Sequence, residues 1–172
     1  MKGESLSLLR TIMLSRDAAT TIVRIARDYD DGLEAGGILL GEVGSGIARV
    51  RHAGTPGPAA VREAHYFLRD LAHAQDLALA AYERDGSVWV GEWHTHPHSD
   101  STPSQLDIQT YQTLLTDPEL RFDVVLAIIL GRPAADCLSG FSMMGWVCTP
   151  VGVRAVPIAV VDEHDPVEGA MF

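Results

Sequence analysis

The chain has 172 residues, 47% of them apolar, which suits one domain with a real core and points to neither disorder nor a fibre. With 23 acidic residues against 13 basic ones the formal charge is −10, which repels phosphate backbones and argues against nucleic acid as a partner. No apolar run approaches the length of a membrane span or has the form of a signal peptide, and the two cysteines, Cys137 and Cys148, read as buried thiols of a cytoplasmic protein.

In chain order, residues 8–14 predict a first strand. Ser15 then caps a helix over 16–29, with Asp17 in its first turn and Ala18, Ile22, Ile25 and Ala26 at helical spacing. Residues 38–43 read as a buried strand, Gly44-Ser45-Gly46 as a hairpin turn and 47–53 as the returning strand. A loop with Pro56 and Pro58 follows, and then a short strand over 64–67. A second helix over 70–84 has Leu71, Ala74, Leu77, Ala78, Ala81 and Tyr82 as its apolar face and stops at Asp85-Gly86.

Residues 88–93 predict a strand, 104–115 a third helix, 123–130 a central strand, and 141–144, 146–148 and 153–157 closing strands. The stretch 161–172 is acidic and reads as a frayed tail behind one domain over 1–160. Strands and helices alternate irregularly. That favours a mixed α/β domain, a curved mixed sheet flanked by about three helices, over a doubly wound fold.

The richest chemistry lies between residues 91 and 107. His94 and His96 stand two apart at a strand end, so both imidazoles project to one face, and Pro97 ends the strand by removing a donor. Thr102 as N-cap, Pro103 at the first helical position and Gln105 as partner in a capping box predict the helix start. Asp107 then lies one turn in, aimed back at the histidines. Two neutral nitrogens and one carboxylate suit a single tetrahedral zinc with a position left for water, and no HExxH or four-cysteine set competes for that role.

Such a site also needs a carboxylate to move the proton of the water. Glu92, two before His94 on the same strand face, and Glu34, just ahead of Gly36-Gly37, both qualify; spacing alone leans slightly toward Glu92. Ser104 stands where it could hydrogen-bond a developing oxyanion. A lone His-x-His pair is commonly surface or core histidine. Trp93 reads as core packing, His98, Ser99 and Asp100 as loop residues at the rim, and His52, His65, His73 and His164 need no function.

Glu34, then His94-Thr95-His96-Pro97, then Ser104 and Asp107 resembles the full signature of the JAMM (JAB/MPN) metalloprotease family: a distant Glu, His-x-His-Pro, six residues, Ser, two residues, Asp. The stretch from Glu34 to Gly41 is also similar to the family's first motif, and the resemblance covers nearly the whole chain. It implies a single MPN/JAB-like domain with one catalytic Zn²⁺ on His94, His96 and Asp107, Glu34 as general acid/base, and Ser104 steadying the tetrahedral intermediate.

Length and the segment 64–91 resemble bacterial members encoded beside E1-like and E2-like enzymes, some in antiphage operons with cGAS-like nucleotidyltransferases. The partner this implies is a ubiquitin-like protein, or its conjugate, with a Gly-rich C-terminal tail laid as an added strand beside the site. The short stretch 131–140 argues against linkage-specific polyubiquitin cleavage. Sulfur-carrier processing and a non-catalytic scaffold are the alternatives.

Overall fold

The computed structural model describes residues 9–44, 46–133 and 140–162. The elements are β1 (Thr11–Ser15), α1 (Arg16–Asp28), β2 (Gly36–Gly44), β3 (Ile47–Ala53), β4 (Val61–Glu63), β5 (Tyr66–Leu68), α2 (Leu71–Asp85), β6 (Val88–Thr95), α3 (Gln105–Thr116), β7 (Val125–Gly131), β8 (Ser142–Thr149), β9 (Gly152–Val156) and β10 (Ile158–Val161). Eight strands form one mixed sheet in the order β10-β1-β3-β2-β6-β7-β8-β9, and β4 and β5 form a separate antiparallel hairpin.

The two edge strands of this sheet, β9 and β10, are neighbours in sequence with only Pro157 between them. Pro157 has no amide to donate, so ladder pairing breaks there: the chain pairs antiparallel with β8 up to Val156 and parallel with β1 from Ile158. The Pro157 carbonyl accepts from the Ile12 amide at 2.9 Å, and Arg154 donates to the Leu9 carbonyl at 2.6 Å. One segment therefore runs along both edges, and the sheet curls round α1.

Alternation along the strands fills both faces of the sheet. Leu126, Ile128 and Leu130 of β7 join Ala18, Ile22, Ile25 and Ala26 of α1 in the inner core. Val125 and Ala127 face the other way, onto Tyr111 and Leu114 of α3, with Cys148 beside them. Ile38 and Leu40 of β2 pack on Ala74 and Ala81 of α2. The fold expected from the sequence, a mixed α/β domain with a curved sheet and three helices, is the one observed.

Several boundaries differ from expectation. β8 is one strand where two were predicted: Gly145 does not break it, because the side chains of Ile12 and Ile158 press to 2.9 Å of where a Cβ would stand. β10 and the first strand of the hairpin, β4, were not predicted; both are short and exist through pairing that local sequence does not announce. The face of α2 is narrower than predicted. Leu71 and Tyr82 are 56% and 61% exposed, and the contact with the sheet is made by the rest of the predicted face, Ala74 and Ala81 with Leu77 and Ala78 packed beside them. Cys148 is buried, and burial pushes its thiol up to about 12. Cys137, His164 and the acidic tail from residue 163 onward lie outside the described residues. Among those described, no helix is long and apolar enough to cross a membrane.

Candidate metal centre

Strand β6 aims the histidines through a bulge. The register with β2 jumps from Leu39↔Gly91 to Leu40↔Trp89, leaving Val90 unpaired. One extra residue reverses the alternation, so Val90 and Trp93 both serve the inner core while Trp89, Glu92 and His94 face the outer helices. Trp93 is fully buried, and its indole donates to the Gly54 carbonyl at 2.9 Å. His96 follows the strand end, its amide held on the Leu130 carbonyl at 2.7 Å.

The same register brings Glu34 to the site. Gly36 pairs with His94, so two residues further back Glu34 stands across from His96. Gly36 is required by close approach: a Cβ there would lie 2.3 Å from the Trp93 carbonyl oxygen and 2.9 Å from the His94 Cβ. Thr95 locks the crossing, its hydroxyl accepting from the Ala35 amide at 2.9 Å and its amide donating to the Ala35 carbonyl at 2.8 Å.

Asp107 arrives on the first turn of α3, but the cap is not the predicted one. The predicted N-cap, Thr102, and capping-box partner, Gln105, are displaced by Ser104 and Asp107: Ser104 has an extended backbone, its hydroxyl accepts from the Asp107 amide at 3.1 Å, and its amide donates to Asp107 Oδ2 at 2.6 Å. Asp107 completes this box because an acid at that position both accepts from the cap amide and sits at the positive end of the helix. The box fixes the carboxylate that faces the histidines.

The three side chains converge. The Nε2 atoms of His94 and His96 are 2.9 Å apart, His94 Nε2 is 3.3 Å from Asp107 Oδ1, and His96 Nε2 is 3.2 Å from Asp107 Oδ2. Ligands about 2.0–2.1 Å from a tetrahedral zinc stand about 3.3 Å from one another, so the donor set and its spacing fit one zinc ion. His96 Nδ1 lies 2.9 Å from the Asp100 carbonyl, which can only accept; Nδ1 therefore carries a proton, and Nε2 is the nitrogen left to give its lone pair to a metal. The loop that provides this carbonyl is tied down: Trp146 donates to the Ser101 carbonyl, Arg132 to the Pro97 carbonyl, and His98 to the Gly32 carbonyl.

Electrostatics are those of a ligand cluster. Burial works against the Asp107 carboxylate, but hydrogen bonds from His94 and His96 outweigh it and hold the carboxyl well below the usual range. Burial likewise opposes the His96 imidazolium, yet Asp107, the Asp100 carbonyl and Glu34 raise its pKa. Glu34 is 5% exposed with Oε1 3.9 Å from His96 Nε2, and burial raises its pKa against the opposing pull of the two histidines.

Glu92, the other acid the spacing admitted, lines the same cleft but is engaged. Its carboxylate is ion-paired with Arg69, whose guanidinium lies 4.7 Å over the Trp89 ring. Burial raises its pKa against the pull of Arg69. Of the predicted residues, Glu34, His94, His96, Ser104 and Asp107 all meet at this place. His65, read in the sequence as needing no function, lines this cleft; Arg62, Tyr66 and Phe67 of the hairpin and Tyr111 of α3 were not singled out, and Tyr111, one turn beyond Asp107, was the one that helical spacing could have revealed.

With this geometry in hand, the comparisons with known proteins are specific. Residues 15–148 match the family described as prokaryotic homologs of the JAB domain. The chain belongs to this family. It is 32% identical over 128 residues to a CD-NTase/cGAS isopeptidase of Pseudomonas aeruginosa, covering 73% of this chain and 80% of that protein. Proteins of the same name from Escherichia coli and Vibrio cholerae are each 30% identical, over 103 and 101 residues, covering 58% of this chain and 62% of each of them. A protein of Desulfitobacterium hafniense, solved in solution, has the same fold: TM-score 0.65 at 20% identity, over 88% of this JAB-family chain and 94% of the other.

Proposed function

We propose that this JAB-family chain is a zinc-dependent isopeptidase that hydrolyses the bond joining the C-terminal tail of one protein to an amine of another. The observation that carries the reading is the meeting of a buried carboxylate, Glu34, with the convergent donors of His94, His96 and Asp107 at one cleft. Zinc bound there would polarise the scissile carbonyl and lower the pKa of a water from about 15.7 to near 7. Glu34, whose affinity for a proton burial has raised, takes the proton of the attacking water and hands it to the leaving amine. The Ser104 oxygen accepts from the Asp107 amide, which leaves the hydroxyl proton free to donate to the oxyanion.

The β4–β5 hairpin forms one wall of the cleft with His65, Tyr66 and Phe67, and an extended tail fits along its edge as an added strand. The motif resemblance points to a ubiquitin-like protein as the owner of that tail. The name of the relatives, CD-NTase/cGAS isopeptidase, points to a nucleotidyltransferase of that kind, and on this ground the nucleotidyltransferase conjugate is the preferred substrate. E1-like and E2-like enzymes are the partners that would make such a conjugate. The setting we infer is the cytoplasm of a bacterium using conjugation in antiphage defence, with a catalytic domain over 1–160 followed by an acidic tail.

The test is incubation of the zinc-loaded protein with two substrates, a CD-NTase and a ubiquitin-like protein, each carrying a C-terminal extension, read by intact mass. Cleavage at the end of the tail that stops with chelator and in Glu34→Gln is the expected result. A zinc-loaded wild type that binds either protein yet cleaves neither overturns the reading in favour of a scaffold.

A further inference from the structure

Glu34 lies just ahead of β2, where no strand of the large sheet pairs with it; its backbone is held from elsewhere. Its amide donates to the Glu63 carbonyl of β4 at 2.8 Å, and its carbonyl accepts from Nε of Arg62 at 3.0 Å. Arg62 reaches the rest of this turn as well. Its two terminal nitrogens grip both oxygens of Asp31 at 2.9 and 2.7 Å, one of them lies 3.3 Å from the Leu33 carbonyl, and the guanidinium stacks 4.4 Å over the Tyr29 ring. At the far end of the same hairpin, the Arg69–Glu92 ion pair fastens β5 to the strand that carries His94.

From this geometry we infer that Arg62 is a positioning residue for the hydrolysis, acting through the backbone of Glu34. The inference rests on the isopeptidase reading for its kinetic part only. Asp31 is about half exposed, so solvent screens its pairing with the more buried Arg62, and every contact of the guanidinium described above lies within residues 29–34. The consequence of losing Arg62 is therefore local: the segment 29–34 loses a fork that a lysine cannot reproduce, because a single ammonium does not hold a carboxylate at two points and a backbone carbonyl at a third. A proton-transfer group displaced by about 1 Å can lower turnover about 100-fold.

The experiment compares Arg62→Lys and Arg62→Ala with wild type, all zinc-loaded, by amide hydrogen exchange and by cleavage of the extended substrate. Exchange of the Glu34 amide should rise by about tenfold or more, while the Ala35 amide, held by Thr95, and the β7 amides stay as in wild type. Turnover should fall about 100-fold, with KM changed less than about threefold and zinc affinity unchanged. An unaltered Glu34 amide, a parallel loss of protection throughout the domain, or an effect confined to KM would overturn the inference. Should wild type cleave nothing, the isopeptidase reading has failed, and the exchange at Glu34 against Ala35 still decides whether Arg62 holds this backbone.

Discussion

His94, His96 and Asp107 come from one short stretch, and what holds them is mostly local: a strand end, a loop carbonyl on His96 Nδ1 and a capping box on the first turn of α3. Glu34 comes from far upstream: its neighbour Ala35 is held by Thr95 across the strand crossing, its own backbone is held by β4 of the hairpin, and Arg69, just after β5, takes the other acid, Glu92. The metal side is thus built by short-range rules, and the acid side by contacts between distant segments. Substitutions should separate the two sides, since the donors can remain assembled while the acid is lost.

The largest separation is between His96→Ala and Glu34→Gln. The first should abolish both zinc uptake and cleavage. The second should keep one zinc per chain, by native mass spectrometry, and lower turnover on the order of 10²–10⁴-fold; loss of zinc from Glu34→Gln would erase the distinction between the sides. Glu92→Gln sharpens the comparison of the two acids. It leaves Arg69 buried opposite a neutral partner, so thermal unfolding should report a loss of about 1–3 kcal/mol, while turnover measured below the transition stays within about tenfold of wild type. A turnover loss matching that of Glu34→Gln would transfer the proton-moving role to Glu92.

Ser104→Ala removes the N-cap of α3 and should cost about 1 kcal/mol of stability, with partial recovery in Ser104→Thr. The smallest effect is expected far from both sides, where Asp85 at the end of α2 pairs with His52 at 2.6 Å. Burial pushes the Asp85 carboxyl up, but hydrogen bonds from Ser87 and His52 hold it at about 2 against an ordinary 3.8. A lowered folded-state pKa means the pair stabilises above pH 3.8 and loses that contribution as pH falls toward 2. The Tm gap between wild type and Asp85→Asn should therefore be present at pH 6 and close below pH 3.8, with zinc binding unaffected.

The same division governs what was legible in the sequence. The convergence of His94, His96 and Asp107 was readable because two-residue strand spacing and a helix start are local signals, even though the cap was assigned to Thr102 and not to Ser104. The acid side was not. Spacing leaned toward Glu92, and only the JAMM resemblance pointed to Glu34, because the register Gly36↔His94 and the grip of Arg69 on Glu92 arise from pairing between distant segments. Ser15 and Gly86 announced their helix ends through cap chemistry, whereas Asp70, read as the first residue of α2, is its N-cap. The bulge at Val90, the edge-sharing segment around Pro157 and the clamp of Arg62 had no local signature, since each exists only once another part of the chain is in place.

The proposed hydrolysis depends on two imidazoles and one helix-borne carboxylate sharing a single zinc. Crystals grown with stoichiometric zinc and measured on both sides of its absorption edge test it most directly. One anomalous peak is expected, bonded to Nε2 of His94, Nε2 of His96 and the Asp107 carboxylate, with the Glu34 carboxylate beside it. A peak elsewhere, or none at this cluster at full zinc loading, would contradict it.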